Sequence, residues 1–347
     1  MREVTVIVPV YNGEKYLEES LASVVAQDVD AEIHVLDDGS IDRSESIARS
    51  FSDPRLRYSK NPGRFGLFKT LNRGFREAET PLVRIWAHDD RMVSGSLRRF
   101  IEFAGTHPTA GVVFCRFLDM DPEGRLTGLE AQFDRQWPRV PELFRDQLAA
   151  LLFWCYGCLP GNISTVMMRR ETWERLGGFV EGIQQAPDYD MWVRASEVAD
   201  VGFIDEPLVE LRNHPGQLSK EAGKLMTIIE EELPVIRRLE GRLQGLLSAR
   251  DLRRGWRWWH GRSHVHYVAR AILRGDLKSA GRGLRAVRAY GQPLEQLVVW
   301  LLSGNGRVFN LDREKVFDEA VKRLALPTGG QPATGSVHSL PPGRAAG

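Results

Sequence analysis

Apolar and polar residues along the first 120 positions alternate between two periods, one typical of buried strands and one typical of amphipathic helices. Residues 4–8 form a continuous β-branched run that ends at Pro9, the pattern of a buried parallel strand. Tyr11 and Asn12 lead into a glycine and predict a turn. The apolar residues that follow share one helical face, and they are Tyr16, Leu17, Leu21, Val24 and Val25.

The same alternation repeats along the chain. Strands are predicted at 32–36, 55–59, 82–86, 112–120 and 164–168. Helical patterns fall between the first four, at 44–51, through Phe68, Leu71, Phe75 and Ala78, and through Leu97, Phe100, Ile101 and Ala104. Strands that alternate with helices predict an α/β fold with a mostly parallel, doubly wound sheet. Ligands of such sheets bind at the carboxyl ends of the strands.

Acidic and histidine residues cluster where predicted strands end or helices begin. Residues 37–40 read Asp-Asp-Gly-Ser, residues 88–90 read His-Asp-Asp, and residues 188–190 read Asp-Tyr-Asp. Neighbouring carboxylates are costly unless a cation or a hydrogen-bond donor lies between them. Oxygen-rich sites suit Mg²⁺ or Mn²⁺, and those ions commonly hold phosphates. The clusters therefore indicate a metal-assisted enzyme that acts on a phosphorylated, nucleotide-linked substrate.

Composition adds a second region to this picture. The chain has 347 residues with 42% hydrophobic and 27% charged residues, ordinary values for a soluble protein. Its net charge is +1, yet residues 237–288 contain 14 Arg or Lys against 3 Asp or Glu. We therefore expect a catalytic domain over 1–220, a basic helical region over 221–326, and a disordered tail rich in Pro, Gly, Ala and Ser over 327–347.

The cysteines and the apolar stretches of the sequence bear on the cellular localisation of the protein. Cys155 and Cys158 form a C-x-x-C pair in apolar surroundings, and we interpret them as buried structural thiols rather than a redox or metal pair. The N-terminus shows no signal-peptide pattern, and the apolar stretch 148–159 is too short to span a bilayer. A cytoplasmic protein is expected.

The order of these motifs resembles that of family 2 glycosyltransferases with the GT-A fold, of the bacterial cell-envelope polysaccharide type. The segments that carry the resemblance are 6–13, 36–40, 66–72, 88–90, 188–194 and 211–214, so it covers roughly residues 3–219. Each motif alone is a weak signal, but together and in this order they are a strong one. The resemblance implies a GT-A catalytic domain, here followed by a C-terminal helical appendage.

The resemblance further implies inverting transfer of a sugar from a nucleotide-diphosphate sugar to an acceptor hydroxyl, with Mn²⁺ or Mg²⁺ as cofactor. Asp38 would accept a hydrogen bond from the nucleotide base, and the alternative for it is a strand-terminating turn. The other residues expected to bind the nucleotide sugar are Pro9, Tyr11, Asn12, Lys69 and Asp89. Lys69 and Arg84 carry positive charge that would neutralise phosphate, and for both a surface cation is the alternative.

The metal and base positions depart from the usual family pattern. The first Asp of the metal motif is replaced by Trp86, Ala87 or His88, depending on the alignment. The resemblance assigns Asp90 and His214 to the metal, although it leaves open whether Asp89 or Asp90 ligates. It assigns the general base to Asp188, for which a helix N-cap is the alternative. A Glu often precedes this Asp in the family, and Pro187 stands there instead. By its position, Asn162 is expected to line the acceptor pocket.

Other functions and partners stay open. A catalytically inactive sugar-nucleotide-binding or scaffold protein is one alternative. A nucleotidyltransferase is another, but it needs a Gly-rich phosphate loop with a basic residue that residues 9–13 do not provide. The acceptor would be a glycan, a polysaccharide or a lipid-linked sugar. Residues 271–290 predict one Arg-faced amphipathic helix, either a peripheral contact with anionic lipid at the inner membrane face or a cap on the catalytic domain. No nucleic-acid motif is found.

Overall fold

The computed structural model describes five stretches of the chain, residues 2–129, 140–217, 225–255, 261–290 and 307–325. These residues form two compact units. The sheet unit contains the described residues of 1–145, 158–182 and 190–217. The helical unit contains 146–157, 183–189 and the described residues after 217. The predicted division near residue 220 remains a prediction, and the tail 327–347 lies outside the described residues.

Among its described residues, the sheet unit has strands at the six predicted positions and four that the sequence did not predict, at 91–92, 126–129, 143–144 and 200–212. In chain order the strands are β1 Val4–Val10, β2 Glu32–Asp37, β3 Leu56–Lys60, β4 Leu82–Ile85, β5 Arg91–Met92, β6 Ala110–Met120, β7 Leu126–Leu129, β8 Leu143–Phe144, β9 Val166–Arg169 and β10 Asp200–Arg212. The predicted strand at 164–168 begins instead as a 3₁₀ turn at Ile163–Thr165, whose N-cap is Asn162. Asn162 accepts a hydrogen bond from the Ser164 amide, so its side chain is used locally.

These strands form a single sheet with the order β3-β2-β1-β4-β9-β6-β10-β5, and β7 and β8 pair at its margins. Strands β1 to β4 are mutually parallel, and β6 runs parallel to β10. Strand β9 is antiparallel to both of its neighbours. The fold prediction, a mixed α/β domain with a mostly parallel central sheet, is confirmed.

Helices of the sheet unit cover this sheet. They are α1 Leu17–Val25, α2 Ser44–Ser50, α3 Leu67–Glu77, α4 Ser96–Thr106 and, after α5, α6 Arg170–Leu176. Phe75 of α3 and Phe100 of α4 are fully buried. Helix α3 packs so closely that a Cβ on Gly74 would lie 2.7 Å from side-chain atoms of both Ile7 and Leu36. A larger residue at position 74 would force the helix away from the sheet.

The helical unit contains α5 Asp146–Tyr156, α8 Leu225–Arg242, α9 Ala249–Gly255, α10 Gly261–Leu273, α11 Leu277–Tyr290 and α12 Arg307–Ala325. Helix α7, Pro187–Ala195, begins in this unit and ends in the sheet unit. The prediction of one helix over 271–290 is wrong, because the chain turns between α10 and α11. Gly275 adopts φ +75° there, a conformation that glycine reaches at little cost. None of the described helices is long and apolar enough to cross a membrane.

Candidate functional site

Parallel strands bring the ends of β1 and β2 to one edge of the sheet, where Val10 pairs with Asp37. The two loops that leave this edge are tied together by Asn12. Its amide N–H donates to the Ser40 hydroxyl at 2.9 Å, and its side-chain oxygen accepts from the Ile41 amide at 3.0 Å. Asn12 holds a positive φ of 50°, which asparagine tolerates better than most residues. Asn12 therefore shapes the edge where a ligand is expected.

Asp37 and Asp38 are both buried at this edge. Asp37 accepts hydrogen bonds from the Ser40 amide and from the Tyr58 hydroxyl, each at 2.6 Å. Burial, followed by that bond to the Asp37 carboxylate and its charge, raises the pKa of Tyr58. The phenol thus stays protonated and continues to donate to Asp37.

The carboxylate of Asp38 is held by a loop that follows β3. It accepts hydrogen bonds from the backbone amides of Phe65 at 2.7 Å and Gly66 at 2.8 Å. Two side chains add bonds to the same group, Asn61 at 2.8 Å and Thr70 at 3.0 Å. A carboxylate offers about four acceptor positions, and these donors use them. In this conformation Asp38 fastens the loop, so its base-binding role stays a prediction that requires the loop to open.

The remaining residues predicted to bind the nucleotide sugar take different positions. Pro9 is buried within β1, paired with Leu36, and its ring faces the protein interior. Tyr11 is half-buried, and the Arg64 guanidinium lies 4.1 Å from its ring centroid. Lys69 is exposed, with its ammonium 4.8 Å from the centroid of Phe65. Tyr11 and Lys69 therefore both contact the loop after β3, through Arg64 and Phe65. Pro9 lies within β1.

Asp90 is 1% exposed and faces inward. One oxygen accepts from the Ser164 hydroxyl at 2.5 Å and the other from the Arg212 amide at 2.9 Å. Burial and the charge on Asp89 raise the pKa of Asp90 well above its usual value, against the lowering effect of those bonds. Asp90 is therefore held by donors of the chain itself, Ser164 and Arg212. Its assignment as a metal ligand stays a prediction.

Asp89, the other residue that the sequence analysis considered as a metal ligand, is paired with a histidine. Its carboxylate lies 3.0 Å from Nε2 of His214, and both side chains are 13% exposed. Burial alone would raise the pKa of Asp89, but the His214 hydrogen bond and the charges of His88 and His214 outweigh it, and the pKa falls below its usual value. Asp89 is therefore ionised and points at an imidazole at the carboxyl edge of the sheet.

Arg212 supports the pair of Asp89 and His214 from inside the protein, where its side chain is 2% exposed. Its Nε donates to the Asp89 carbonyl at 2.9 Å and its guanidinium pairs with Glu19. The guanidinium carbon lies 4.6 Å from the centroid of the Tyr16 ring, which in turn lies 4.8 Å from the His214 ring. Arg212 thus fixes the backbone at Asp89, and Tyr16 fixes the ring of His214.

The donor set fits a divalent cation that arrives with a phosphate ligand. The described residues contain no group of three or more His, Cys, Asp or Glu that could hold a metal ion, so protein donors alone do not complete a shell. Nδ1 of His214 accepts from the Gly216 amide at 3.2 Å, so the neutral ring carries its proton on Nε2, towards Asp89. A cation between Asp89 and His214 would replace that proton. Mg²⁺ and Mn²⁺ commonly combine one or two protein ligands with phosphate oxygens and water.

Arg84 does not serve a ligand. It is fully buried in the sheet, where its Nη1 donates to the Val166 carbonyl at 2.6 Å and its guanidinium lies 4.3 Å from the centroid of Phe100. Burial lowers the pKa of Arg84 to about 10. The prediction that Arg84 neutralises phosphate is therefore wrong. Its charge instead acts on Asp90 from inside the core.

Asp188 belongs to the helical unit and lies in the first turn of α7. It is half-buried, and its Oδ1 accepts from the Tyr189 amide at 2.8 Å. Tyr189 itself donates its hydroxyl to the Phe153 carbonyl at 2.9 Å. Arg194 donates to the carboxylate of Asp190 at 2.7 Å and also binds the Gly178 carbonyl. The assignment of Asp188 as general base stays a prediction.

Sequence reasoning missed the residues that position the candidates. Ser164 and Arg212 hold Asp90, while Asn61 and Thr70 hold Asp38. Arg212 and Thr70 carried a sequence signal, since they lie in the segments 211–214 and 66–72 of the family resemblance. Ser164 and Asn61 are ordinary polar residues whose partners are distant in the chain, and no local pattern marks them.

Comparison with known proteins gives the family that this sequence matches. Residues 5–172 match the family model described as Glycosyl transferase family 2. An uncharacterized glycosyltransferase of Rickettsia typhi is 27% identical over 221 residues, which are 63% of this chain and 66% of that protein. The uncharacterized glycosyltransferase EpsJ of Bacillus subtilis is 28% identical over 225 residues, 62% of this chain and 63% of that protein. The matched region thus spans less than two thirds of these relatives.

Solved structures share the fold at lower identity. TarS of S. aureus in complex with UDP-GlcNAc superposes with a TM-score of 0.62 at 19% identity, over 92% of this chain and 89% of that one. The mannosyltransferase PcManGT of Pyrobaculum calidifontis, in complex with GDP-Man and Mn²⁺, gives a TM-score of 0.55 at 21% identity, over 94% and 88%.

Proposed function

The chain belongs to glycosyl transferase family 2, and on that premise we propose that it moves a sugar from a nucleotide-diphosphate sugar to an acceptor hydroxyl, with inversion at the anomeric carbon. The observation that carries this proposal is the pair of Asp89 and His214, 3.0 Å apart at the carboxyl edge of the sheet. Doubly wound sheets bind their ligands at this edge. The nucleotide-sugar complexes of TarS and PcManGT support a donor of that class by similarity of fold.

The donor would be bound by the loops after β1, β2 and β3. The half-buried Tyr11 would offer its ring to the base or ribose, and the Arg64 guanidinium lies 4.1 Å from the centroid of that ring. Asn12 keeps the loop in shape, and the exposed Lys69 supplies a mobile positive charge for the diphosphate. Asp38 would exchange its bonds to Phe65 and Gly66 for a base N–H if the loop opens on binding.

Asp89 and His214 would hold a divalent cation, Mn²⁺ or Mg²⁺, together with the donor diphosphate. When bound, such a cation stabilises the negative charge that develops on the leaving diphosphate. The imidazole favours Mn²⁺ over Mg²⁺ as the occupant, because nitrogen ligands suit the softer ion. Arg212 would contribute by fixing the backbone at Asp89.

Asp188 is the proposed general base. The acceptor hydroxyl would pass its proton to the Asp188 carboxylate while its oxygen forms a bond to the anomeric carbon. The bond from that carbon to the phosphate oxygen breaks in the same step, and the nucleoside diphosphate leaves. A single displacement of this kind inverts the anomeric centre and requires no covalent intermediate.

A lipid-linked or polysaccharide acceptor at a membrane surface is the proposed partner, and the turn between α10 and α11 supports it. Residues 272–278 are all exposed. Leu273 is 84% exposed and Leu277 is 72% exposed, while Arg274 and Lys278 stand beside them. Aliphatic residues flanked by cations suit the interface of an anionic bilayer. The protein would then be cytoplasmic and peripheral at the inner face of the membrane.

Binding to vesicles tests this membrane contact. The double variant Leu273→Asn with Leu277→Asn should bind vesicles of anionic phosphatidylglycerol at least tenfold more weakly than the unaltered chain, in a sedimentation assay. Leu126→Asn is the matched control, because Leu126 is 50% exposed in the sheet unit. Equal binding by all three proteins would count against the contact.

Ligand-dependent thermal stability tests the donor site. UDP, dTDP and GDP are each added with and without Mn²⁺, and the nucleotide that binds the folded chain should raise the unfolding midpoint only with the ion. At a concentration of 100 times Kd the gain is about 2.7 kcal/mol. Release of nucleoside diphosphate from the corresponding sugar donor then separates an active transferase from an inactive sugar-nucleotide-binding protein. The absence of a shift with all three nucleotides would contradict the proposed donor class.

A further inference from the structure

The segment immediately before Asp188 is held by a carboxylate from a distant helix of the same unit. Glu231 of α8 accepts hydrogen bonds from three consecutive backbone amides, those of Gln184 at 2.8 Å, Gln185 at 2.6 Å and Ala186 at 3.0 Å. Consecutive amides that converge on one anion form a strong binding arrangement, because each N–H contributes to the same negative charge. This contact belongs to none of the motifs described above.

The sequence explains why the segment needs such a partner. Helix α7 begins at Pro187, which fixes its own φ but has no N–H to donate. The three amides before it precede the helix and cannot bond within it. Ala186 is 4% exposed, so leaving its amide without a partner would carry a desolvation cost. Glu231 supplies the acceptor for all three.

The chain on the other side of Asp188 is fixed as well. Tyr189 is 4% exposed, its hydroxyl donates to the Phe153 carbonyl, and its ring centroid lies 6.4 Å from that of Phe153. Glu231 and Phe153 therefore anchor the residues before and after Asp188. With both anchors in place, the backbone of a half-buried acid has little freedom to turn.

We propose that Glu231 is a positioning residue for Asp188, and that it acts by binding the amides of residues 184–186. This inference rests on the proposed function, in which Asp188 removes the proton of the acceptor. Misplacement of a base by about 1 Å is enough to slow a reaction strongly, because proton transfer requires hydrogen-bond distance. Glu231 itself does not touch donor or acceptor in this proposal, so its loss should affect turnover and not donor binding.

The variant Glu231→Gln tests the proposal, since it keeps the size of the side chain but presents an NH₂ group to amides that need an acceptor. The neighbouring Glu230→Gln is the matched control, because Glu230 lies on the same turn and pairs with Arg282. Hydrogen exchange of the peptide 183–189, followed by mass spectrometry, should be at least tenfold faster in Glu231→Gln and unchanged in Glu230→Gln.

Steady-state kinetics complete the experiment. We expect kcat of Glu231→Gln to fall about tenfold with the donor KM within twofold of the unaltered enzyme, and Glu230→Gln to match that enzyme in both. If Glu231→Gln does not fold, Glu231→Asp serves in its place, because it keeps the charge but withdraws it by one methylene. Unchanged exchange in the variant, or faster exchange with normal kcat, would overturn the proposal.

The outcomes also separate this inference from the proposed function. If the unaltered enzyme turns over none of the sugar nucleotides tested, the proposed function fails and the catalytic part of the inference fails with it. The exchange comparison between Glu231→Gln and Glu230→Gln still decides whether Glu231 holds the segment, because it requires no substrate.

Discussion

The two aspartate pairs of the sheet unit, Asp37 with Asp38 and Asp89 with Asp90, look alike in sequence and differ in the structure. Each pair follows a buried strand at the same edge of the sheet. Both carboxylates of the first pair are buried and bonded to the chain's own donors. The two carboxylates of the second pair differ, because Asp90 is buried and Asp89 faces His214. The comparison shows that the fold brings different numbers of hydrogen-bond donors to carboxylates in similar sequence contexts.

Loss of the Asp38 carboxylate is the largest effect that this comparison predicts. In Asp38→Asn one acceptor oxygen becomes an NH₂ group that opposes the Phe65 or Gly66 amide, so the free energy of unfolding should fall by about 3 kcal/mol. Urea denaturation measures it. The exposed Asp28→Asn is the control and should change stability by less than about 0.5 kcal/mol. A stable Asp38→Asn that no longer binds nucleotide would reverse the assignment and make Asp38 a ligand contact.

Substitution of Asp89 should reduce turnover strongly and change the free energy of unfolding little. An Asn at position 89 still accepts the Nε2 proton of His214, so the free energy of unfolding should change by less than about 1 kcal/mol. Turnover of the sugar donor should fall about 100-fold, equivalent to about 2.7 kcal/mol, because the charged ligand for the cation is lost. Calorimetric titration with Mn²⁺ and nucleotide checks binding separately. Normal Mn²⁺ affinity in this variant would remove Asp89 from the metal site.

The dependence of the free energy of unfolding on pH gives the smallest expected effect. It is measured without substitution of either aspartate pair. His34 lies on β2, the strand that ends at Asp37, and it is 1% exposed. Burial, followed by the charge of Arg57, lowers the pKa of His34 to about 4. The unfolded chain takes up a proton near pH 6.5 but the native chain does not, so stability present above pH 6.5 is lost as the pH falls. Between pH 7.5 and pH 5 the loss should be about 2 kcal/mol.

Unfolding titrations at several pH values measure this loss. The control is His34→Gln, which has no titrating ring and should reduce the change with pH by the same amount. If the acid sensitivity of His34→Gln equals that of the unaltered chain, other groups are responsible and the strand that carries the first pair is not the sensitive element.

Individual elements show how far sequence reasoning reaches. The β-branched run at 4–8 and the apolar face through Leu71 and Phe75 predicted β1 and α3 correctly, because burial periodicity is a local property. The break between α10 and α11 was missed, although Gly275 and Asp276 were visible signals, because the apolar pattern continues across the turn. Arg84 was misread because a buried arginine and a surface arginine have the same sequence context in a short strand.

The candidate site also has features that follow from the sequence and features that depend on the tertiary structure. Sequence by itself determined that acidic residues lie at the ends of strands and that Asp188 opens a helix, since these depend on the order of elements along the chain. It did not predict β10, the strand that His214 follows. Only the tertiary structure decided which donors each carboxylate of the two pairs receives. Among those donors are Ser164, Arg212 and residues of the loop after β3, which lie 23 to 122 residues away from their partners. Hydrogen-bond satisfaction is a property of the folded chain, because its donors come together only when distant segments pack.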